Sequence, residues 1–328
     1  MSAAEAASPK VSVCVATYRR PEKLERLLDH LADLQAPAGG FEVVVVDDGS
    51  PATDGVTQVL AARTADFPVP LRWVTLPKNS GRAAARNTAW RRATGEWVAF
   101  TDDDCRPDPK WLHALVEAAE SGGDAPAVVQ GRVVPDPERV GLLANPLARS
   151  LRVDTLSELF ETANILYRTE VLESVGGFDE SFPGAGEDTD LGWRVREHGY
   201  ATTFAPEALV IHDVDVRTFR QDLRDRRRWG DVVRVVKLHP ETRRLAWRPH
   251  VFRRSHVGPL VVAGGLPLVL MGSKGRLVYS AAVLFGLAKE VKGTGPRTAW
   301  PRLQVLAGDF YEVGIVIRSS LRQRTVLL

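Results

Sequence analysis

Three consecutive carboxylates, Asp102-Asp103-Asp104, follow directly on the apolar run Trp97-Val98-Ala99-Phe100. Adjacent like charges repel and are tolerated most easily where water or a divalent cation neutralises them. An acidic surface turn meets the same requirement, so the triplet alone leaves both readings open. Asp47-Asp48 likewise ends the apolar run Phe41–Val46, and Thr17 ends Val11–Ala16. Neither GxGxxG nor GxxxxGK[ST] follows the first run, so the glycine-loop phosphate cradles are missing. An anionic phosphate ligand would then need another counter-charge, and a carboxylate-held divalent cation supplies one.

Strands and helices alternate around these residues. Val11–Ala16 reads as a strand covered on both faces, and Phe41–Val46, Leu71–Leu76 and Trp97–Thr101 read as further strands. Between them, Glu22–Leu34, Thr53–Ala65 and Gly81–Ala93 read as helices, with Pro21 suited to a first turn. This alternation predicts an α/β class with βαβ units and a mostly parallel sheet. Thr17, Asp48 and Asp102–Asp104 then lie at the carboxyl edge of one sheet, where such sheets bind ligands. Farther on, a helix over Pro109–Ser121, strands over Ala127–Val134 and Thr162–Arg168, a helix over Glu187–His198 and an extended Ala201–Ile211 ending at His212 are expected.

Composition bounds the rest. The 328 residues suffice for one large domain and an appendage. Cys14 and Cys105 form no disulfide framework or CxxC pattern; Cys14 reads as core and Cys105 as a flank of the acidic turn. Met1–Lys10 lacks an apolar core, which predicts no secretory leader and a cytoplasmic protein. The net charge of +2 hides an acidic body and a basic remainder, with 13 Lys/Arg against 4 Asp/Glu over residues 217–254. That stretch reads mostly as one amphipathic basic helix, followed by apolar runs at Val257–Gly272 and Leu277–Ala288, each shorter than a bilayer span of about 20 residues. Attachment to the inner face of an anionic membrane fits this pattern better than nucleic acid, for which no module or aromatic interleaving is present.

The motifs resemble those of the inverting family-2 glycosyltransferases with a nucleotide-diphospho-sugar-binding (GT-A) fold. The resemblance runs over about residues 11–212. It is carried by Val13-Cys14-Val15-Ala16-Thr17-Tyr18-Arg19-Arg20, Val46-Asp47-Asp48-Gly49-Ser50, Asn79-Ser80-Gly81 with Ala85-Arg86-Asn87, Asp102-Asp103-Asp104, Gly176-Gly177-Phe178-Asp179, and Glu187-Asp188-Thr189-Asp190-Leu191 with Arg194. It implies a GT-A domain over 1–214 and a helical, membrane-associating region over 215–328. By the same resemblance Thr17 and Asp48 would meet the base of a UDP- or dTDP-sugar, with Asn79, Gly81 and Arg86 beside the nucleotide. Asp102 would contact the ribose, Asp103 either ribose or metal, and Asp104 a Mg²⁺ or Mn²⁺ ion (a DXD-type site), with His212 a further ligand. Glu187-Asp188 would supply the general base, Asp188 first, for transfer to an acceptor hydroxyl of a cell-envelope or lipid-linked glycan. Helix capping competes for Glu187-Asp188, and a solvated helix face for Arg82 and Arg86. A sugar nucleotidyltransferase and a non-catalytic glycan-binding protein on the same fold are the rival functions.

Overall fold

A computed structural model of the chain describes residues 8–121, 126–270, 272–274, 276–277, 280 and 296–328. Two compact units are distinguished: residues up to Arg139 together with Ser150–Asp213, and Val140–Arg149 together with Val214–Leu328.

The first unit is built on one eight-stranded sheet. In chain order its elements are β1 (Val11–Thr17), α1 (Pro21–Ala32), β2 (Phe41–Asp47), α2 (Val56–Thr64), β3 (Leu71–Thr75), α3 (Arg82–Trp90), β4 (Trp97–Asp102), β5 (Cys105–Pro107) and α4 (Trp111–Glu120). After β6 (Val128–Pro135) and a two-residue strand β7 (Ala148–Arg149) of the second unit come β8 (Ile165–Arg168), α5 (Thr169–Val175), α6 (Glu187–Glu197) and β9 (Thr202–His212). The sheet order is β3-β2-β1-β4-β8-β6-β9-β5. The four strands from β3 to β4 are parallel, β8 runs antiparallel to both its neighbours, and β6 and β9 are parallel.

Strand composition follows from burial on both faces. Val11, Val13 and Val15 of β1 pack with Leu24, Leu27, Leu28 and Leu31 of α1 in one core, while Cys14 packs with Val44, Phe100 and the alanines of α3 in the other. A strand covered on both sides has no polar face, hence the continuous apolar runs. Short β5 was not expected from the sequence. Only Asp103 and Asp104 separate it from β4, too few residues for a parallel crossover, so it pairs antiparallel with β9 at the sheet edge, where Pro107 is tolerated.

Asn164 locks the far half of this sheet. Its Oδ1 accepts from Trp111 Nε1 at 2.7 Å, and its Nδ2 donates to the carbonyls of Ala208 and Arg132 at 2.7 and 2.9 Å. Gly131 passes so close that a Cβ there would lie 2.3 Å from Asn164 Nδ2.

The second unit departs from the single basic helix expected over 217–254. Thr218 opens α7 (Phe219–Arg226) through a capping box with Gln221, a tighter turn occupies Arg227–Asp231, and α8 (Val232–Leu238) follows. Pro240 ends α8, because the residue before a proline is driven out of helical conformation; His239 has φ −124° and ψ 80°. Val233 and Val236 are buried against Val316 and Leu327, the former from the long helix Pro296–Gln323. The apolar side of α8 is therefore covered within its own unit. The first apolar run forms α9 (Val257–Leu270); most of the second lies outside the described residues. No described helix is long and apolar enough to cross a membrane.

Replacing Asn164 by leucine strands one donor and two carbonyls in the interior. Chemical denaturation of N164L should show a loss of about 2–4 kcal/mol with the m-value unchanged, since each orphaned buried group costs about 1–3 kcal/mol.

Candidate active site

The carboxyl ends of β2, β1 and β4 lie side by side, so Asp48, Thr17 and the acidic triplet share one edge of the sheet, as the strand pattern predicts. The triplet itself is divided among three environments. Asp103 is buried, accepting from Thr17 Oγ1 at 2.9 Å and from an Arg20 Nη at 2.9 Å. Burial raises its carboxyl pKa to about 6, with Arg20 opposing and Asp104 reinforcing the rise. Asp103 thus braces β1, and the hydroxyl proton of Thr17 is committed to it rather than turned outward.

Asp104 presents its two oxygens to different partners. Oδ2 faces an Arg20 Nη at 3.2 Å and Lys23 Nζ at 3.6 Å. Oδ1 faces His212 Nε2 at 3.6 Å. On the other side of the ring, His212 Nδ1 lies 2.8 Å from the Asp213 carbonyl, to which it can only donate. Nε2 is left to face the Asp104 carboxylate oxygen. A carboxylate oxygen and an imidazole nitrogen so placed fit a divalent metal ion, which Asp104 and His212 would hold.

Asp48 is also buried. Its Oδ1 accepts from Ser80 N at 2.7 Å and Oδ2 from Gly81 N at 2.9 Å, so it pins the 79–81 loop at the start of α3. Burial raises the Asp48 pKa despite those two bonds. Gly49 has φ +75°, and a Cβ there would stand 2.4 Å from the Lys78 carbonyl carbon, so only glycine lets β2 pass this loop. Asn79 is exposed and Gly81 has open space beside its Cα.

Arg86 joins the two acidic clusters. Its Nη atoms donate to Asp102 Oδ1 and Glu187 Oε1, each at 2.8 Å, and its guanidinium lies 5.8 Å from the Phe178 ring centroid. Burial works against the Arg86 charge, but the facing Asp102 and Glu187 carboxylates outweigh it and raise the pKa above its ordinary value. Asp102, disfavoured by burial, is held below the usual carboxylate range by Arg86. Glu187 is buried and also faces Arg82 Nε at 3.8 Å. Its neighbour Asp188 is half-buried and accepts from the Thr189 N–H at 2.8 Å. Burial, reinforced by Glu187, pushes the Asp188 pKa up to about 7. The α3–α5 region is fixed by Asn87, which accepts from Phe178 N and donates to its carbonyl, while Arg194 donates to the carbonyls of Val175 and Gly177. The motifs around Arg86, Phe178 and Asp188 are thus one bonded assembly.

Other residues fall outside it. Asn164 has its side-chain bonds within the sheet and to Trp111 of α4, and Trp111 and Trp193 are core residues. Sequence reasoning did not assign Arg20 and Lys23 to the triplet, nor single out buried Asp213, which takes Arg26 at 2.7 Å and Lys23 at 3.4 Å. The i, i+3 spacing of Arg20 and Lys23, at the N-cap and in the first turn of α1, was the available signal. Cys105 was read as a flank, yet its Sγ lies within 4.8 Å of ligand atoms of both Asp104 and His212.

Comparison with known proteins agrees with this geometry. The profile described as Glycosyl transferase family 2 matches residues 12–174, and that of Glycosyl transferase family group 2 matches residues 97–288. A pre-mycofactocin glycosyltransferase of Mycobacterium tuberculosis is 30% identical over 272 residues, 78% of this chain and 50% of that protein. A validoxylamine A glucosyltransferase of Streptomyces hygroscopicus is 30% identical over 267 residues, 71% of this chain and 61% of that protein. The chain spans half to two thirds of the length of such relatives. Among solved structures, the mannosyltransferase PcManGT from Pyrobaculum calidifontis, in complex with GDP-Man and Mn²⁺, superposes with a TM-score of 0.66 at 22% identity, covering 95% of this chain and 87% of that one. S. aureus TarS 1-349 with UDP gives 0.51 at 18% identity over 96% and 92%. The sheet with its acidic edge is the GT-A fold, and the chain is an enzyme belonging to the family-2 glycosyltransferases.

Proposed function

We propose that the chain is an inverting, metal-dependent glycosyltransferase that moves a sugar from a nucleoside-diphosphate donor to an acceptor hydroxyl. The observation that carries this reading is the Arg86 bridge between Asp102 and Glu187. It ties the metal-binding end of β4 to the start of α6 and so sets the donor edge against the candidate base.

Each residue takes a role its environment suits. Asp104 and His212 would hold Mg²⁺ or Mn²⁺, and the bound cation would neutralise charge on the leaving diphosphate. Asp102 keeps its charge and is the most exposed of the triplet, suited to accept from ribose hydroxyls. Asp48 retains lone pairs beyond those facing Ser80 and Gly81, available to an imide N–H of uracil or thymine. Glu187 is taken up by Arg86, whereas Asp188 beside it makes no ion pair among the described residues and has its pKa raised to about 7. Asp188 takes the proton of the acceptor hydroxyl as that oxygen attacks the anomeric carbon from the side opposite the diphosphate, which inverts configuration. The nucleotidyltransferase alternative loses its basic loop, because Arg20 and Lys23 face Asp103, Asp104 and Asp213.

The second unit supports a peripheral membrane site facing a lipid-linked or cell-envelope acceptor. Leu245 and Trp247 are exposed among Arg243, Arg244 and Arg248, an apolar and cationic combination suited to an anionic bilayer surface.

Asp188→Asn should reduce kcat by about 10²–10⁴-fold while leaving donor affinity close to that of the parent, since it removes base catalysis and no donor contact. The acid limb of kcat/KM gives a second test. Activity needs Asp188 ionised, so it should rise with pH through about 7, and this limb should vanish in the residual activity of D188N. A limb unchanged in D188N would remove Asp188 from the role.

Donor and metal are tested together by thermal shift with UDP, dTDP and GDP and their sugars, with and without Mn²⁺. Binding raises the unfolding midpoint by mass action, about 2.7 kcal/mol at 100-fold excess over Kd. The Mn²⁺-dependent part should disappear in Asp104→Asn and His212→Ala, and no metal-dependent shift with any nucleotide would refute the metal role. For the second unit, sedimentation with vesicles should show binding to phosphatidylglycerol but not phosphatidylcholine, falling with salt and weakened in Trp247→Ala.

A further inference from the structure

Asp104, Cys105 and His212 bring one carboxylate oxygen, one sulfur and one imidazole nitrogen within 4.8 Å of one another. The convergence is built into the sheet. Cys105 and His212 are direct partners in the antiparallel β5–β9 ladder, so their side chains leave the sheet on the same face, and Asp104 is the residue before β5. Asp104 Oδ2 is turned to Arg20 and Lys23, which leaves Oδ1 for this group. Ligands bound at about 2.0–2.3 Å around one tetrahedral ion stand roughly 3.3–3.8 Å apart. The 3.6 Å between Asp104 Oδ1 and His212 Nε2 meets that spacing as it stands. The Cys105 sulfur lies within 4.8 Å of both atoms.

The geometry points to Cys105 as a sulfur ligand at this position, making Asp104–Cys105–His212 an oxygen, sulfur and nitrogen site that takes Zn²⁺, Cd²⁺ or Co²⁺ more tightly than Mg²⁺. Carboxylate and imidazole alone suit the harder Mg²⁺ and Mn²⁺, whereas thiolate selects softer ions. The free thiol is buried. When the metal–sulfur bond forms, the S–H proton passes to solvent and no electron changes hands. The site then discriminates among metals by whether the ion draws sulfur in, and a soft ion so held is a dead-end occupant for the transferase. This inference rests on Asp104 and His212 being metal ligands.

Cobalt titration of the full chain tests it without any activity measurement. Visible d–d absorption reports Co²⁺ held at the site by any ligand set. Near-ultraviolet sulfur-to-cobalt charge transfer reports a thiolate ligand. Cys14 is an internal control, because it lies on β1 in the other core, in register with Val44 and Phe100. The expected result is both signals in the parent and in Cys14→Ser. In Cys105→Ser and Cys105→Ala the charge-transfer band should be lost, with Cd²⁺ affinity down at least tenfold. Visible bands that need His212 but come without charge transfer in the parent would overturn the sulfur ligand and leave the oxygen–nitrogen metal site standing. Neither signal would sink both. A charge-transfer band that persists in Cys105→Ala and disappears in Cys14→Ser would also overturn the assignment.

Discussion

The guanidinium of Arg86 is the interaction on which the rest of the site depends. Two carboxylates from distant parts of the chain, half-buried Asp102 and buried Glu187, converge on this buried guanidinium, which would be costly to leave unpaired. A cation with fixed, planar geometry does more than neutralise them: it sets the distance between the end of β4 and the start of α6. Lysine would supply the charge without the two-pronged spacing. Pairing Glu187 also separates the two members of the Glu187-Asp188 pair, since Arg86 takes the first while burial and repulsion from Glu187 raise the pKa of the second.

The same logic organises the rest of the acidic edge. Asp103, Asp104 and Asp213 are held in place by Arg20, Lys23 and Arg26, all from α1 or the turn before it. The helix whose leucines fill one core therefore presents its polar side to the triplet, so packing and electrostatics fix one another. Asp103 is used up as a brace to Thr17. Asp102 is paired with Arg86 instead, so three adjacent like charges are divided among three different cationic or hydrogen-bonding environments.

Much of this was legible in the sequence because it is periodic. The runs Val11–Ala16 and Phe41–Val46, and the leucines of α1, announce strands and a helix whose faces have a single place to go, and strand-end carboxylates follow from strand direction alone. What was not legible depends on contacts across long separations. Arg86 with Glu187 spans 101 residues and Thr17 with Asp103 spans 86, and no local pattern encodes either pairing. The neighbours of Cys105 were hidden for a related reason. It does flank the acidic turn, but it also stands opposite His212 in a ladder, and β5 is too short to carry a strand signal of its own.

The basic region shows how composition misleads when charge is counted without partners. Arg226 is buried, with Asp222, Asp309 and Glu312 at 2.6, 2.7 and 2.9 Å, and a Cβ at Gly308 would stand 2.5 Å from its Nε. Arg253 reaches the same Glu312 at 3.1 Å. These arginines fasten α7 and the following segments to the helix Pro296–Gln323, and the carboxylates that balance them lie up to 86 residues away. Their charge is largely balanced within the unit. Other cations of the region, among them Arg220, Arg224, Arg227, Lys237, Arg248 and Arg254, are exposed, and beside Arg248 the apolar Leu245 and Trp247 are exposed too. Counting charge along the sequence therefore overstates what reaches the surface, and only the placement of partners tells the two kinds of arginine apart.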